Sequence, residues 1–169
     1  VNPYQGTLKG VNECEPIACV DAVLSKFSPS GTALLYSTYF GGTGSETGNG
    51  VAVDSSGHIY LSGLTDSNDF PVTSGAFQPT YGGLHNCNPV SNNDAYLAKF
   101  NASGSSLLYA TYYGGCGSDQ ANGLAIDNSG HAYIVGNTTS TDLPTKNAYQ
   151  ATSTGGQHGF VAKFDTTAS

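Results

Sequence analysis

The chain has 169 residues, with 12 Asp or Glu against 5 Lys or Arg, a net charge of −7 and 23 Gly. The few, scattered cations form no basic patch to meet phosphates, which argues against nucleic acid. No apolar run approaches the roughly 18 residues that cross a bilayer, and no basic segment precedes an apolar leader.

Tyr and Phe are frequent, helix formers are scarce and Gly is abundant, a profile of short strands joined by tight turns; the chain reads as all-β. It contains no Met, so it is read as a processed form or a segment of something longer. Taken in chain order, an N-terminal arm and a Cys-containing loop occupy 1–20. Period-2 apolar runs then predict strands at 22–27, 34–40, 50–54 and 58–63, separated by turn residues such as Ser28-Pro29-Ser30-Gly31 and Asp54-Ser55-Ser56-Gly57. A second Cys-containing insertion covers 79–93. Four more strands follow at 95–100, 107–113, 123–127 and 131–136, and a ninth at 160–164.

The two sets are copies. A shift of 73 superposes Asp21 to Ser74 on Asp94 to Asn147 without a gap, with 29 identities in 54 positions. Ala22 to Phe27 falls on Ala95 to Phe100, Leu34 to Gly42 on Leu107 to Gly115, Asn49 to Asp54 on Asn122 to Asp127, and Ser56-Gly57-His58 on Ser129-Gly130-His131. Tyr4-Gln5 matches Phe77-Gln78, and Tyr149-Gln150 opens a third copy that stops after Phe160-Val161-Ala162-Lys163-Phe164. The chain therefore divides into the arm (1–20), a first repeat with its insertion (21–93), a second repeat (94–148) and the start of a third (149–169).

These landmarks resemble the bacterial β-propeller repeat known as the SBBP repeat, with its Ala-Lys-Phe strand, its Leu-Leu-Tyr-Ser-Thr-Tyr-x-Gly-Gly strand and its Asn-Gly-x-Ala-Val-Asp-x-x-Gly-x-x-Tyr-x-x-Gly run. The resemblance spans most of 21–164. It implies four-stranded blades in secreted or surface-attached bacterial proteins, with no catalytic residues, no cofactor and no assigned reaction. The expected architecture is two four-stranded antiparallel propeller-type blades plus a ninth strand. In the family's frame, the same strands divide into the outer half of one blade, one whole blade and three quarters of another.

Closed propellers need about four blades or more, so this arrangement is open-ended and leaves blade faces and the edge beside Phe160, Val161, Ala162, Lys163 and Phe164 to be covered. The covers considered are further repeats of a longer chain, a sandwich of the two sheets, or neighbouring copies. In the last case the terminal strand or the Val1 to Gly10 arm adds to a neighbour's sheet, and head-to-tail repetition builds a filament.

The four cysteines, Cys14, Cys19, Cys87 and Cys116, are additions to the repeat. Lacking a nearby His pair, they suit disulfides better than a metal site, with Cys14–Cys19 and Cys87–Cys116 as the favoured pairs and interchain bonds as the alternative. Bridges imply an extracellular setting. Asn101 and Asn137 begin N-glycosylation sequons just past predicted strands, so glycans join the candidate partners.

Residues that suggest chemistry have plainer readings. His58 and His131 repeat but sit on different blades, and His85 and His158 lie in loops with no nucleophile elbow. Asp54 and Asp127 lack the closing Glu of a calcium loop and read as turn caps; Asp69 and Asp142 read as turn starters. Lys26, Lys99 and Lys163 are expected on a solvent face or an edge. Gly41-Gly42 and Gly114-Gly115 read as turns rather than a phosphate cradle. Tyr36, Tyr39, Phe40, Tyr109, Tyr112 and Tyr113 form an aromatic strip that fills the space between sheets or, if exposed, stacks on sugars. The sequence thus points to a non-enzymatic, extracellular structural protein that self-assembles, such as a subunit of a surface fibre. The alternative is an adhesion or carbohydrate- or protein-binding segment of a larger secreted propeller; a hydrolase has little support.

Overall fold

The structure is a computed structural model that describes residues 2–10, 19–84 and 93–167. It contains nine antiparallel strands: β1 (Ala22–Phe27), β2 (Leu34–Phe40), β3 (Glu46–Val53), β4 (Ile59–Thr65), β5 (Asp94–Phe100), β6 (Leu107–Tyr113), β7 (Asp119–Ile126), β8 (His131–Thr138) and β9 (His158–Asp165). They form a two-stranded sheet β1-β2, a four-stranded sheet β3-β4-β5-β6 and a three-stranded sheet β7-β8-β9. The nine strands arise as the sequence predicts. They distribute as two, four and three, because each repeat divides between sheets: β4 pairs with β5 of the next repeat (Thr65 opposite Asp94) and β8 pairs with β9 (Thr138 opposite His158). That is the division the family's frame implies.

Period-2 alternation on the central sheet explains how the three sheets stack. Ile59 and Leu61 of β4 with Tyr96, Ala98 and Phe100 of β5 face β1-β2, where Ala22, Leu24, Tyr36 and Phe40 meet them. The intervening Tyr60, Ala95 and Leu97, with Tyr109 and Tyr113 of β6, face β7-β8-β9 and pack on Ala132, Ile134, Phe160 and Phe164. Every residue of β5 is consequently buried. Edge-to-face aromatics tie the layers, with Phe40 4.9 Å from Phe70 and Tyr113 5.3 Å from Phe160; such pairs each contribute about 0.5–1.5 kcal/mol beyond burial. The strip residues Tyr36, Phe40, Tyr109, Tyr112 and Tyr113 are buried between sheets, and only Tyr39 is exposed.

Among the described residues the outer sheets have no such cover on their far sides. Val23, Phe27, Leu35 and Tyr39 on β1-β2, and Val135 and Val161 on β7-β8-β9, are exposed, Val161 to 74%.

β3 and β7 begin four residues earlier than the apolar alternation predicts. Glu46-Thr47-Gly48 and Asp119-Gln120-Ala121 carry no apolar alternation, and their strand character comes from pairing with β4 and β8 across a bulge between Gly48 and Gly50 and between Ala121 and Gly123. Opposite each bulge stands a glycine with no room for a side chain: a Cβ on Gly63 would overlap the Thr47 carbonyl oxygen, and one on Gly136 the Gln120 carbonyl oxygen.

The described part of the arm lies on its own molecule. Gln5 bridges to Tyr39 and so covers the outer edge of β2. Backbone bonds to the edge are cheaper to form within one chain, where no second molecule has to be immobilised.

Candidate functional site

The repeated His and Asp residues close turns. Asp54 Oδ1 accepts the Ser56 and His58 amides at 2.9 Å each, and its Oδ2 lies 2.9 Å from His58 Nδ1. Asp127 repeats this with Ser129 and His131. Partial burial works to raise the Asp54 pKa, but the hydrogen bonds from His58 and Tyr60 outweigh it and hold the carboxyl below its ordinary value. These groups stay on separate turns and do not converge. His158 Nε2 contacts the Gly155 carbonyl at 2.8 Å, and His85 lies outside the described residues.

The Gly-Gly turns are held by carboxylates. Gly42 donates its amide to Glu46 Oε2 at 3.0 Å, and Gly115 donates to Asp119 Oδ2 at 2.8 Å. Asp69 and Asp142 reach across 26 residues to accept the amides of Thr43 (2.7 Å) and Cys116 (2.8 Å). They clasp these loops instead of merely starting their own turns, as a local reading expects.

A third carboxylate approaches from the strand before. Asp94 is fully buried; its Oδ2 accepts the Gly82 amide at 2.7 Å and Gln78 Nε2 at 3.3 Å, while Oδ1 meets no donor. A Cβ on Gly114 would run into Asp94 Oδ1 and stand 2.9 Å from Asp119 Oδ2, so only glycine leaves room for both carboxylates. Burial, reinforced by the Asp119 charge, pushes the Asp94 pKa up to about 7. Burial also raises Glu46 and Asp119.

Lys99 departs from its expected solvent face. It is buried beneath the third sheet, with Nζ 5.1 Å from the centre of the Tyr60 ring and 3.4 Å from Thr166 Oγ1. Lys26 and Lys163 lie on the outer sheets and are not buried. Lys163 repeats the ring contact, with Nζ 5.0 Å from the centre of the Tyr133 ring, but only the central copy is covered on both sides, and only Lys99 is buried.

Among the described residues no cysteine is a free thiol; Cys19 is buried, and Cys14 and Cys87 lie outside the described residues. Asn101 follows β5 and accepts the Ser105 amide at 3.0 Å, whereas Asn137 is an exposed residue within β8 and not past its end, since the β8–β9 ladder extends to Thr138.

A large groove lies beside β9. Its walls recur in the filled copies. In the first, the edge of β2 is clipped by Gln5: its amide donates to Thr38 Oγ1 at 2.8 Å, its carbonyl accepts the Tyr39 amide at 3.1 Å, and its side-chain Oε1 accepts the Gly41 amide at 3.3 Å. In the second, Gln78 makes the same three bonds to β6, through Thr111 (2.8 Å), the Tyr112 amide (3.2 Å) and the Gly114 amide (3.0 Å). Each Gln is set by its own Nε2, which donates two residues on to the carbonyl of Thr7 or Thr80.

In the third copy Gln150 Nε2 donates to the Thr152 carbonyl at 3.2 Å in the same way. β9 takes the place of β5, but among the described residues no Leu-Leu-Tyr strand lies between β9 and Gln150. The space is a groove of about 880 Å³ lined by Phe77, Tyr113, Phe160, Phe164, Tyr149 and Gln150 among others. Tyr4 and Phe77, which precede the filled clips, pack on Phe40 and Tyr113 at 6.0 and 6.4 Å, while Tyr149 is fully exposed. The sequence reading names the β9 edge residues but misses this opposite wall. The in-register recurrence of Gln5-Gly6-Thr7, Gln78-Pro79-Thr80 and Gln150-Ala151-Thr152 is the signal that marks it.

No curated protein matches the chain. A family model described as the SBBP beta-propeller repeat matches residues 35–71 and 108–144, segments that each run from a Leu-Leu-Tyr strand through the Asn-Gly strand and the His turn to Asp-Phe-Pro or Asp-Leu-Pro. With its three stacked antiparallel sheets and its 73-residue period, the chain carries two beta-propeller repeats of the SBBP family.

Proposed function

We propose that this chain is a non-enzymatic, extracellular structural module that associates with its own kind by strand completion, as the subunit of a surface fibre. The observation that carries the reading is the strand-wide groove whose two walls, β9 and the Gln150 clip, repeat the walls that hold β2 and β6. An open strand edge presents unpaired amides and carbonyls that a further strand satisfies. Exposed apolar residues on both outer sheets, Val23 and Phe27 at one end and Val135 and Val161 at the other, extend the contact surface in a head-to-tail direction. Disulfides Cys14–Cys19 and Cys87–Cys116, and glycans on Asn101 and Asn137, belong to the same extracellular reading, and non-reducing peptide mapping tests them. Sedimentation velocity across a hundredfold concentration range, with electron microscopy of the concentrated sample, tests the assembly. Growing oligomers and filaments are expected; a chain that remains monomeric overturns it.

The match to propeller repeats supports a second reading, in which the chain is a segment of a larger secreted propeller and the next repeat of the same polypeptide fills the groove. A polypeptide carrying further repeats then remains monomeric and closed.

A further inference from the structure

We infer that Gln150 is the specificity-determining residue of the groove and selects an extended strand carrying Thr-Xaa-Xaa-Gly, here β2 of a second copy with Thr38 and Gly41. The inference rests on the strand-completion reading and adds what the groove reads. In both filled copies the Gln main chain engages the Thr hydroxyl and the next amide, while the Gln side-chain oxygen takes the amide of the Gly three residues after the Thr. Main-chain bonds along a strand edge carry no sequence information. The Thr hydroxyl, which both accepts from and donates to the Gln backbone, and the Gly amide, which donates to the Gln side-chain oxygen, supply it.

In the third copy, Gln150 keeps one of the two Nε2 bonds that set Gln5 and Gln78, the one to the carbonyl two residues on, while His158 stands where Asp21 and Asp94 accept the other. The clip is therefore partly organised before a strand arrives and pays less ordering entropy on binding. β2 is the strand assigned because its sheet has only two strands, so that along its edges it exchanges only β1 and the Gln5 clip for β9 and Gln150 of a neighbour. β9 occupies the same repeat position as β1, β2's present partner, so it offers β2 an equivalent ladder.

The test uses the whole chain and a peptide of sequence Leu-Leu-Tyr-Ala-Thr-Tyr-Tyr-Gly-Gly, that of 107–115, with two added lysines for solubility. Binding is measured by calorimetry. Sarcosine at the first Gly removes the amide that Gln Oε1 accepts, and Val for Thr removes the hydroxyl; each is expected to weaken binding by roughly five- to tenfold, the worth of one hydrogen bond. Gln150→Ala is expected to lose a similar factor, and sarcosine then costs nothing further because its partner is gone. Gln150→Glu keeps the accepting oxygen and keeps the sarcosine penalty.

Equal sarcosine penalties in the wild-type and Gln150→Ala chains, or undiminished binding by Gln150→Ala, overturn the selective role while strand completion stands. Failure of every peptide to bind overturns strand completion itself. In a second arm, Gln150→Ala weakens self-association by the same factor; unchanged self-association beside weakened peptide binding overturns the second copy as the source of the strand.

Discussion

Replacing Asp94 by Asn should make the protein more stable at pH 8 and remove most of its pH dependence between pH 4 and 7. The Asp94 carboxyl is fully buried, with one oxygen unpartnered and the Asp119 carboxylate close by. Its pKa is pushed from the ordinary 3.8 up to about 7. The folded state therefore holds a proton that the unfolded state gives up as pH rises above the ordinary value. Stability falls across that window and is lowest once Asp94 is ionised. Three pKa units correspond to roughly 4 kcal/mol, or on the order of 10 °C in Tm for a chain of this size.

Asn retains an oxygen for the Gly82 amide and Gln78 Nε2 and turns an NH2 toward Asp119, so the neutral side chain suits the site at every pH. Urea denaturation at half-unit intervals from pH 4 to 8 is the assay. Glu46 and Asp119, also raised by burial, leave a smaller residual slope of the same sign. A variant that is less stable than wild type at pH 8, or that retains the full wild-type slope, refutes the buried-carboxyl reasoning.

Three further substitutions probe the scaffold away from the groove lining. Gly63→Ala drives a Cβ into the Thr47 carbonyl opposite the β3 bulge and should cost about 3 kcal/mol or more in chemical denaturation; a cost below 1 kcal/mol contradicts the close approach. Tyr112→Phe removes the hydroxyl that accepts the Phe70 amide and donates to the Ser67 carbonyl, both at 2.9 Å, and should cost about 1–3 kcal/mol by leaving a buried amide unpaired. His58→Ala breaks only a turn contact to Asp54, so it should cost at most about 1 kcal/mol and leave self-association, measured by sedimentation, unchanged; a loss of association would give the repeated His a role it lacks here.

The period of 73 and all nine strand positions were legible because identities fall at fixed spacing and apolar alternation marks the faces. Less legible was what depends on neighbours. The first halves of β3 and β7 follow Glu46 and Asp119, whose strand conformation is imposed by the β4 and β8 ladders and by carboxylates holding the Gly-Gly loops. Lys99 is buried where Lys26 and Lys163 are not because its strand has a sheet on both sides, a property of its place in the stack. The open edge at Phe160 to Phe164 could be read from a truncated third copy. Its opposite wall could not be read from hydrophobicity, because Gln150 is polar and exposed, and its meaning appears only beside the filled clips at Gln5 and Gln78.

The most direct test of strand completion is to supply the missing strand in the same chain. A polypeptide extended after Ser169 by a short Gly-Ser turn and Leu-Leu-Tyr-Ala-Thr-Tyr-Tyr-Gly-Gly should fold the added strand between β9 and Gln150. Its melting temperature should rise by several degrees, and by sedimentation velocity it should no longer associate at concentrations where the unextended chain does. An extension that leaves both melting and sedimentation unchanged contradicts the account.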